Sequence, residues 1–306
     1  MPEIAKPDLA RPEGHEDFDY GRFITRNIGF VTEAEQERLR NARIFVCGTG
    51  GMGGGCVLAL ARAGVGGLDL ADLDAFELSN LNRQVFANLD TIGRPKAEAT
   101  RDQCHRINPD LLIEVHGRDW PGSADALIAR CDVVVNGTDD LSASLLLYRR
   151  AKALGKTVVD AYASPLPSVY VTRPGDPMPE ERLGYPTLAT QWNQVGPEQR
   201  SQAFLREAEH VMVHSSSRHH IDLALAGEVA AGKRSRMSFA PMVVTTGMLM
   251  AYETIELILG RHTATDCRGW FFNPYRARVE HPRNAVVAAL LRPVVRRFLG
   301  KLTGGA

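Results

Sequence analysis

Between residues 32 and 163 the apolar positions switch repeatedly between a helical and a strand period. Thr32 with Glu35 three residues on gives "TEAEQERLRNA" the capping-box signature of a short helix. The apolar run "RIFVC" reads as a strand, and "GGCVLALARAG" as a helix whose small and aliphatic residues suit close packing on a sheet. "GLDLADLD" follows as a second strand ending in acids. Ala97, Thr100, Cys104 and Ile107 recur at helical spacing, "LLIEVHG" alternates as a strand, and "DALIAR" before "DVVVNGTDD" gives another helix and strand. "ASLLLYRRAKALG" and "KTVVDAYA" repeat the pair. This alternation predicts an α/β fold, a Rossmann-like and mostly parallel sheet with helices on both faces. Right-handed crossovers then gather the strand C-termini, and the functional loops, along one edge.

From 173 to 236 proline and polar residues leave only weak periodicity, and so long a stretch is expected to cover a site rather than to serve as linker. "MVVTTGMLMAYETIELILG" returns to the core as a helix, and "GWFFNPYRARVE" reads as a hairpin of antiparallel C-terminal strands. "AVVAALLRPVVRRFLGKL" reads as an amphipathic helix broken by Pro293. Docking on the same protein or a partner is its expected role, with membrane-surface contact as the alternative. The expected organisation is a flexible segment over 1–21, one domain over 22–282 with a variable, substrate-facing insertion at 173–236, and a tail over 283–306.

Composition changes this picture little. The chain has 306 residues, 44% of them hydrophobic, enough for a large core. Lysine plus arginine number 36, as do aspartate plus glutamate, so no global field points to nucleic acid. The polar, proline-rich start and the lack of a long apolar run place the expected compartment in the cytoplasm. Cys47, Cys56, Cys104, Cys131 and Cys267 form no C-x-x-C pair, and no structural zinc is expected.

The candidate chemistry begins at "GTGGMG", residues 48–53, between a strand and a helix. Glycines there permit a tight turn and close backbone approach to phosphates, with the helix N-terminus supplying N–H donors. Asp72 lies about twenty residues beyond Gly53, where an acid takes ribose hydroxyls. NAD and ATP fit equally well up to this point. Beyond it, Asn80, Arg83 and Lys96 cluster in "DLDAFELSNLNRQVF" and "IGRPKA", suited to phosphate charge and without use in hydride transfer. Asp139 and Asp140 end a strand where one carboxylate can hold magnesium against phosphates and the other can cap the next helix.

"GTGGMG", "DLDAFELSNLNRQVF", "GRPKA" and "NGTDD", in this order and spacing, resemble the adenylation domain of the ThiF, MoeB and HesA proteins, bacterial relatives of ubiquitin-activating enzymes. "ITRNIGFVTEAEQERL" and "APMVVTTGMLMAYETIELILG" extend the resemblance over most of residues 22–260. It implies that Gly48, Gly50, Gly51 and Gly53 line the ATP phosphates, that Asp72 holds the ribose, and that Asn80, Arg83 and Lys96 surround the phosphates. It also implies Mg2+ on Asp139, and Arg26 reaching across a homodimer interface toward the γ-phosphate. The implied reaction is attack of a substrate carboxylate on the α-phosphorus of ATP, giving an acyl adenylate and pyrophosphate. The carboxylate is that of a small ubiquitin-like protein, a peptide or a small acid.

The departures also inform. The family's two C-x-x-C zinc pairs are absent, and "TDD" stands where "TDN" is more common. No cysteine lies between Cys131 and Cys267, so no thioester on this chain is expected, with Cys267 the one candidate exception. His214, His219 and His220 lack a recognised metal spacing and are expected in a polar, substrate-facing loop. Two other readings stay open: an NAD-dependent oxidoreductase on the same nucleotide fold, and a catalytically idle binding platform of the same family.

Overall fold

In the computed structural model, residues 17–230 and 232–302 are described. Most of the segment expected to be flexible, residues 1–16, lies outside them, as does the final "GGA". Strands β1 (Arg43–Cys47), β2 (Gly67–Ala71), β3 (Leu112–His116), β4 (Val133–Asn136) and β5 (Val158–Asp160) pair in parallel. Strands β6 (Ser168–Thr172), β7 (Trp270–Asn273) and β8 (Arg278–Glu280) continue the sheet antiparallel, in the overall order β3-β2-β1-β4-β5-β6-β7-β8. The order reverses direction between β1 and β4, and at such a switch point the loops diverge and leave a crevice.

Eleven helices occur among the described residues: α1 (Tyr20–Ile24), α2 (Glu33–Asn41), α3 (Gly51–Ala63), α4 (Lys96–His105), α5 (Ala124–Arg130), α6 (Leu141–Ala153), α7 (Pro179–Leu183), α8 (Pro197–His214), α9 (Leu223–Ala230), α10 (Ala240–Ile258) and α11 (Ala285–Leu302). Strand alternation divides the core between two faces. Ile44 and Val46 join Val57, Leu60 and Met250 in the layer of α3 and α10, while Phe45 joins Leu127, Ile128 and Leu147 in the layer of α5 and α6. Each such large side chain contributes about 1.5–3 kcal/mol of hydrophobic stabilisation when fully buried. The predicted doubly covered, mostly parallel sheet is thus present. The capping box of α2 is closed as expected: Thr32 Oγ1 accepts from the Glu35 amide at 3.2 Å, and Glu35 Oε2 accepts from the Thr32 amide at 2.8 Å.

Three expectations need correction. Order begins before residue 22: α1 starts at Tyr20, whose hydroxyl donates to the Gly64 carbonyl at 2.6 Å. The stretch at 173–236, read from its pattern as only weakly periodic, contains α7, α8 and α9. Helix α8 buries Glu209, His210 and His214 beside Ala203, Val211 and Val213, so polar residues interrupt its inward stripe and hide the helical period. Finally, Pro293 does not break the tail. Helix α11 runs through it, and Ala288, Val295 and Leu299 pack on Val213, which compensates for the backbone bond that proline removes.

Candidate functional site

The glycine turn sits at the ends of β1 and β4, whose last residues Cys47 and Asn136 are paired. Gly48 has φ of +88°, a left-handed conformation, and a Cβ there would lie 2.5 Å from the Gly137 carbonyl carbon. A Cβ on Gly53 would lie 1.9 Å from the Gly48 oxygen, and one on Gly51 would strike Val243 of α10 at 2.5 Å. These three glycines are therefore required by packing within the protein. Gly50 differs. It is the N-cap of α3, and the nearest atom to its missing Cβ is Gln84 Nε2 at 3.6 Å. Gly51 and Gly53 belong to the first turn of α3, where amides lack intrahelical partners and present a positive dipole end.

The neighbouring predicted residues are held in a compact loop. Asp72 Oδ2 accepts from the Thr49 amide at 2.7 Å, which ties the end of β2 to the glycine turn. Asn80 is buried and closes its own turn, its Oδ1 accepting from the Glu77 amide at 3.1 Å. Arg83 donates to the Ser79 carbonyl at 2.7 Å and to Asn82 Oδ1 at 2.9 Å. Lys96 is buried, and its Nζ pairs at 2.8 Å with Asp74, whose side chain is 73% exposed. Arg26 is exposed in a single 3-10 turn over Thr25–Asn27.

Asp139 and Asp140 differ in their surroundings. Asp140 caps α6, accepting from the Ala143 amide at 2.8 Å, and pairs with Arg200 at 3.0 Å. The Asp139 side chain is 82% exposed, and its ion pair is a loose one, 3.9 Å from Arg236. Asp139 is thus the carboxylate open to a cation.

Both acids line a cavity of about 220 Å³ together with Met52 of α3, Asp160, Tyr162, Phe204 and Glu207. Arg83, Lys96, Asn80, Asp72 and Arg26 do not line it. The insertion does reach the site, through Arg200, Phe204, Glu207 and Arg236. Sequence reasoning missed these four because nothing local marks them. At the cavity floor, burial raises Asp160 to about 7 although the Tyr148 hydroxyl donates to it at 2.7 Å. Burial likewise pushes up Glu207, which accepts from the Tyr185 hydroxyl at 2.7 Å. The floor can therefore hold protons, whereas its rim carries exposed charge.

The expected polar histidine loop is not at this cavity. His214 ends α8 and is buried, accepting at Nδ1 from the Arg283 amide at 3.1 Å. His220 stacks on Tyr275 with ring centroids 4.3 Å apart. All five cysteines are buried, and burial raises every thiol, Cys56 and Cys104 to about 12. Among the described residues, Asp69, Glu114 and His116 are close enough to hold a metal. Arg43 bonds both acids there, at 2.6 Å each, and Arg130 bonds Glu114 at 2.7 Å. Burial works against ionisation of Asp69, but the hydrogen bonds from His116, Arg43 and Arg130 win and hold it well below the usual carboxylate range. This is an ion-pair network inside the sheet, with its charge already balanced.

The sheet order and the glycine turn define a Rossmann-like α/β protein. Residues 24–286 match the ThiF family model, and the chain belongs to the ThiF family. It is 39% identical over 125 residues to the probable adenylyltransferase/sulfurtransferase MoeZ of Mycobacterium tuberculosis, covering 40% of this chain and 32% of that protein. It is 42% identical over 108 residues to the molybdopterin-synthase adenylyltransferase of Escherichia coli, covering 35% and 43%. With the sulfur carrier protein ThiS adenylyltransferase of the same organism it shares 35% over 130 residues, covering 42% and 51%. The matched regions thus span about a third to a half of these relatives. Among solved structures, PaaA has a TM-score of 0.58 at 18% identity, covering 90% of this chain and 78% of that one. E. coli MccB crystallised with ATP has 0.56 at 16% identity, covering 82% and 67%. These two likenesses concern the fold.

Proposed function

We propose that the chain is an ATP- and Mg2+-dependent adenylyltransferase that activates a carboxylate as an acyl adenylate. The observation carrying this reading is the meeting, at the ends of β1 and β4, of the α3 first turn with Asp139, an exposed carboxylate held only by a loose ion pair. Of the residues present, the half-buried Gly51 amide at the start of α3 would serve phosphate oxygens and Asp139 would serve magnesium, while Gly53 is buried and shapes the turn. Magnesium, when bound, offsets phosphate charge. Lys96 and Arg83 would exchange their contacts on the loop for the same phosphates, and Arg26 would reach them from the partner of a homodimer. A carboxylate oxygen of the acyl substrate then bonds the α-phosphorus as the bond to the bridging oxygen breaks and pyrophosphate leaves. The protein positions the reactants and stabilises charge.

The carboxylate belongs to the C-terminus of a small carrier protein or peptide, or to a small acid. The name of the ThiS adenylyltransferase supports the carrier-protein class. The adenylate passes directly to a nucleophile outside this chain's thiols, a reading supported by five buried cysteines with raised pKa values. Calorimetry with MgATP and with NAD tests the nucleotide. Saturable binding of MgATP without NAD binding is expected, and the reverse would overturn the proposal in favour of an oxidoreductase.

A further inference from the structure

A second cavity, of about 240 Å³, lies where α7, α8 and α11 meet. It is built from the segment at 173–236 and from a helix lying almost wholly beyond residue 286, where the family match ends. Its lining holds Arg182, Arg206, Arg292 and Arg296 against only Glu181 and Glu209. Both acids are already engaged. Glu209 takes Arg296 at 2.8 Å and Arg206 at 3.3 Å, while Glu181 pairs with Lys152 at 2.9 Å. Arg182 and Arg292 are left without a carboxylate partner among the described residues.

Arg182 is the more demanding of the two. Its Nη2 donates to the Tyr162 hydroxyl at 2.8 Å and its Nη1 approaches His210 Nδ1 at 3.4 Å, while Nε is inaccessible to solvent and has no acceptor. A mostly buried guanidinium without an anion is costly. The histidines around it are set as neutral donors. His210 accepts from Arg182 at Nδ1, so its proton sits on Nε2, toward the Arg268 carbonyl at 3.3 Å. His214 accepts from the Arg283 amide at Nδ1, which puts its proton on Nε2, where no acceptor exists among the described residues. Burial, with the Arg182 charge next, lowers His210 to about 2; burial, with Arg292 next, lowers His214 to about 4. The pocket therefore offers two unbalanced guanidinium charges and an imidazole N–H, in a space smaller than the roughly 300–1,000 Å³ of drug-sized sites.

We infer that this cavity is a binding site for a small oxyanion, a carboxylate or phosphate group, held by Arg182, Arg292 and His214. Planar guanidinium forks match either group. Because Arg182 also holds Tyr162, which lines the first cavity, an anion here would act on the wall of the candidate active site.

The full chain should be titrated with inorganic phosphate and with succinate at matched ionic strength and saturating MgATP. Heat and the histidine Cε1–H resonances of His210 and His214 serve as readouts. Saturable binding that shifts both resonances is expected, weakened at least tenfold in Arg292→Gln, an exposed substitution, and in Arg182→Lys. Preference for phosphate or for succinate would assign the anion and support the site. No saturable binding by the native chain, or native affinity in folded forms of both variants, would overturn the inference. Neither result bears on nucleotide binding, which calorimetry with MgATP reads separately.

Discussion

Asp139 and Asp140 are adjacent acids with opposite structural duties, and substitutions can separate them. Asp139 is 82% exposed with one loose ion pair at 3.9 Å, so Asp139→Asn should change stability by no more than about 0.5 kcal/mol. Asp140 caps α6, and Asp140→Ala should cost about 1 kcal/mol from the cap, with the half-exposed Arg200 pair adding little. Asparagine caps as well as aspartate, so Asp140→Asn should be close to neutral. In a chain of 306 residues about 1 kcal/mol moves Tm by roughly 1.5–2 °C. Ligand binding reverses the ranking. MgATP at a hundred times its Kd stabilises the folded state by about 2.7 kcal/mol, a rise of roughly 4–5 °C. Loss of a direct magnesium ligand should cost at least the ten- to hundredfold in affinity that an outer-shell partner is worth. At the same MgATP concentration Asp139→Asn would then retain only about 1.4 to 0.4 kcal/mol of that stabilisation. Differential scanning fluorimetry of the three variants, with and without MgATP, measures all these terms together. A full MgATP shift in Asp139→Asn, with its loss in Asp140→Asn, would refute the division of labour.

Three further outcomes are expected. The five thiols should resist a disulfide reagent in the native state and react on unfolding, and rapid labelling of Cys267 together with a hydroxylamine-sensitive acyl adduct on it would restore a thioester step. The folded pKa of Asp160, about 7, lies above its unfolded value, so the native state binds more protons between about pH 4 and 7 and the stability contribution, full below that window, is lost as pH rises through it. Asp160→Asn should flatten the fall in stability over that range, and an unchanged pH profile would show that burial does not shift this acid. Mixing Arg26→Ala with Asp139→Asn subunits should restore about one competent site per heterodimer if Arg26 acts across the interface; no recovery in verified heterodimers would place its action within one subunit or nowhere.

The sequence alone determined the parallel sheet, its two helical layers, the glycine turn and the family, because each is encoded locally. Period-two and period-3.6 patterns, the Thr32–Glu35 cap and the spacing from Gly53 to Asp72 are read within one or two elements. Local pattern also offered both a cap and a cation ligand at residues 139–140. Only the fold separates their surroundings, since the direction of α6 puts Asp140 on the Ala143 amide and leaves Asp139 exposed. Tertiary structure alone decided the rest. Gly48 and Gly51 are fixed by neighbours distant in sequence, Gly137 and Val243, and Gly53 by the Gly48 carbonyl of its own turn. Arg200, Phe204, Glu207 and Arg236 enter the cavity from a helix and loop whose polar inward positions erase the periodicity that would have announced them. The same cause moved His214 from an expected loop into a buried helix end. A side chain's role there depends on which charges other elements bring against it, and the spacing along one segment carries no record of those partners.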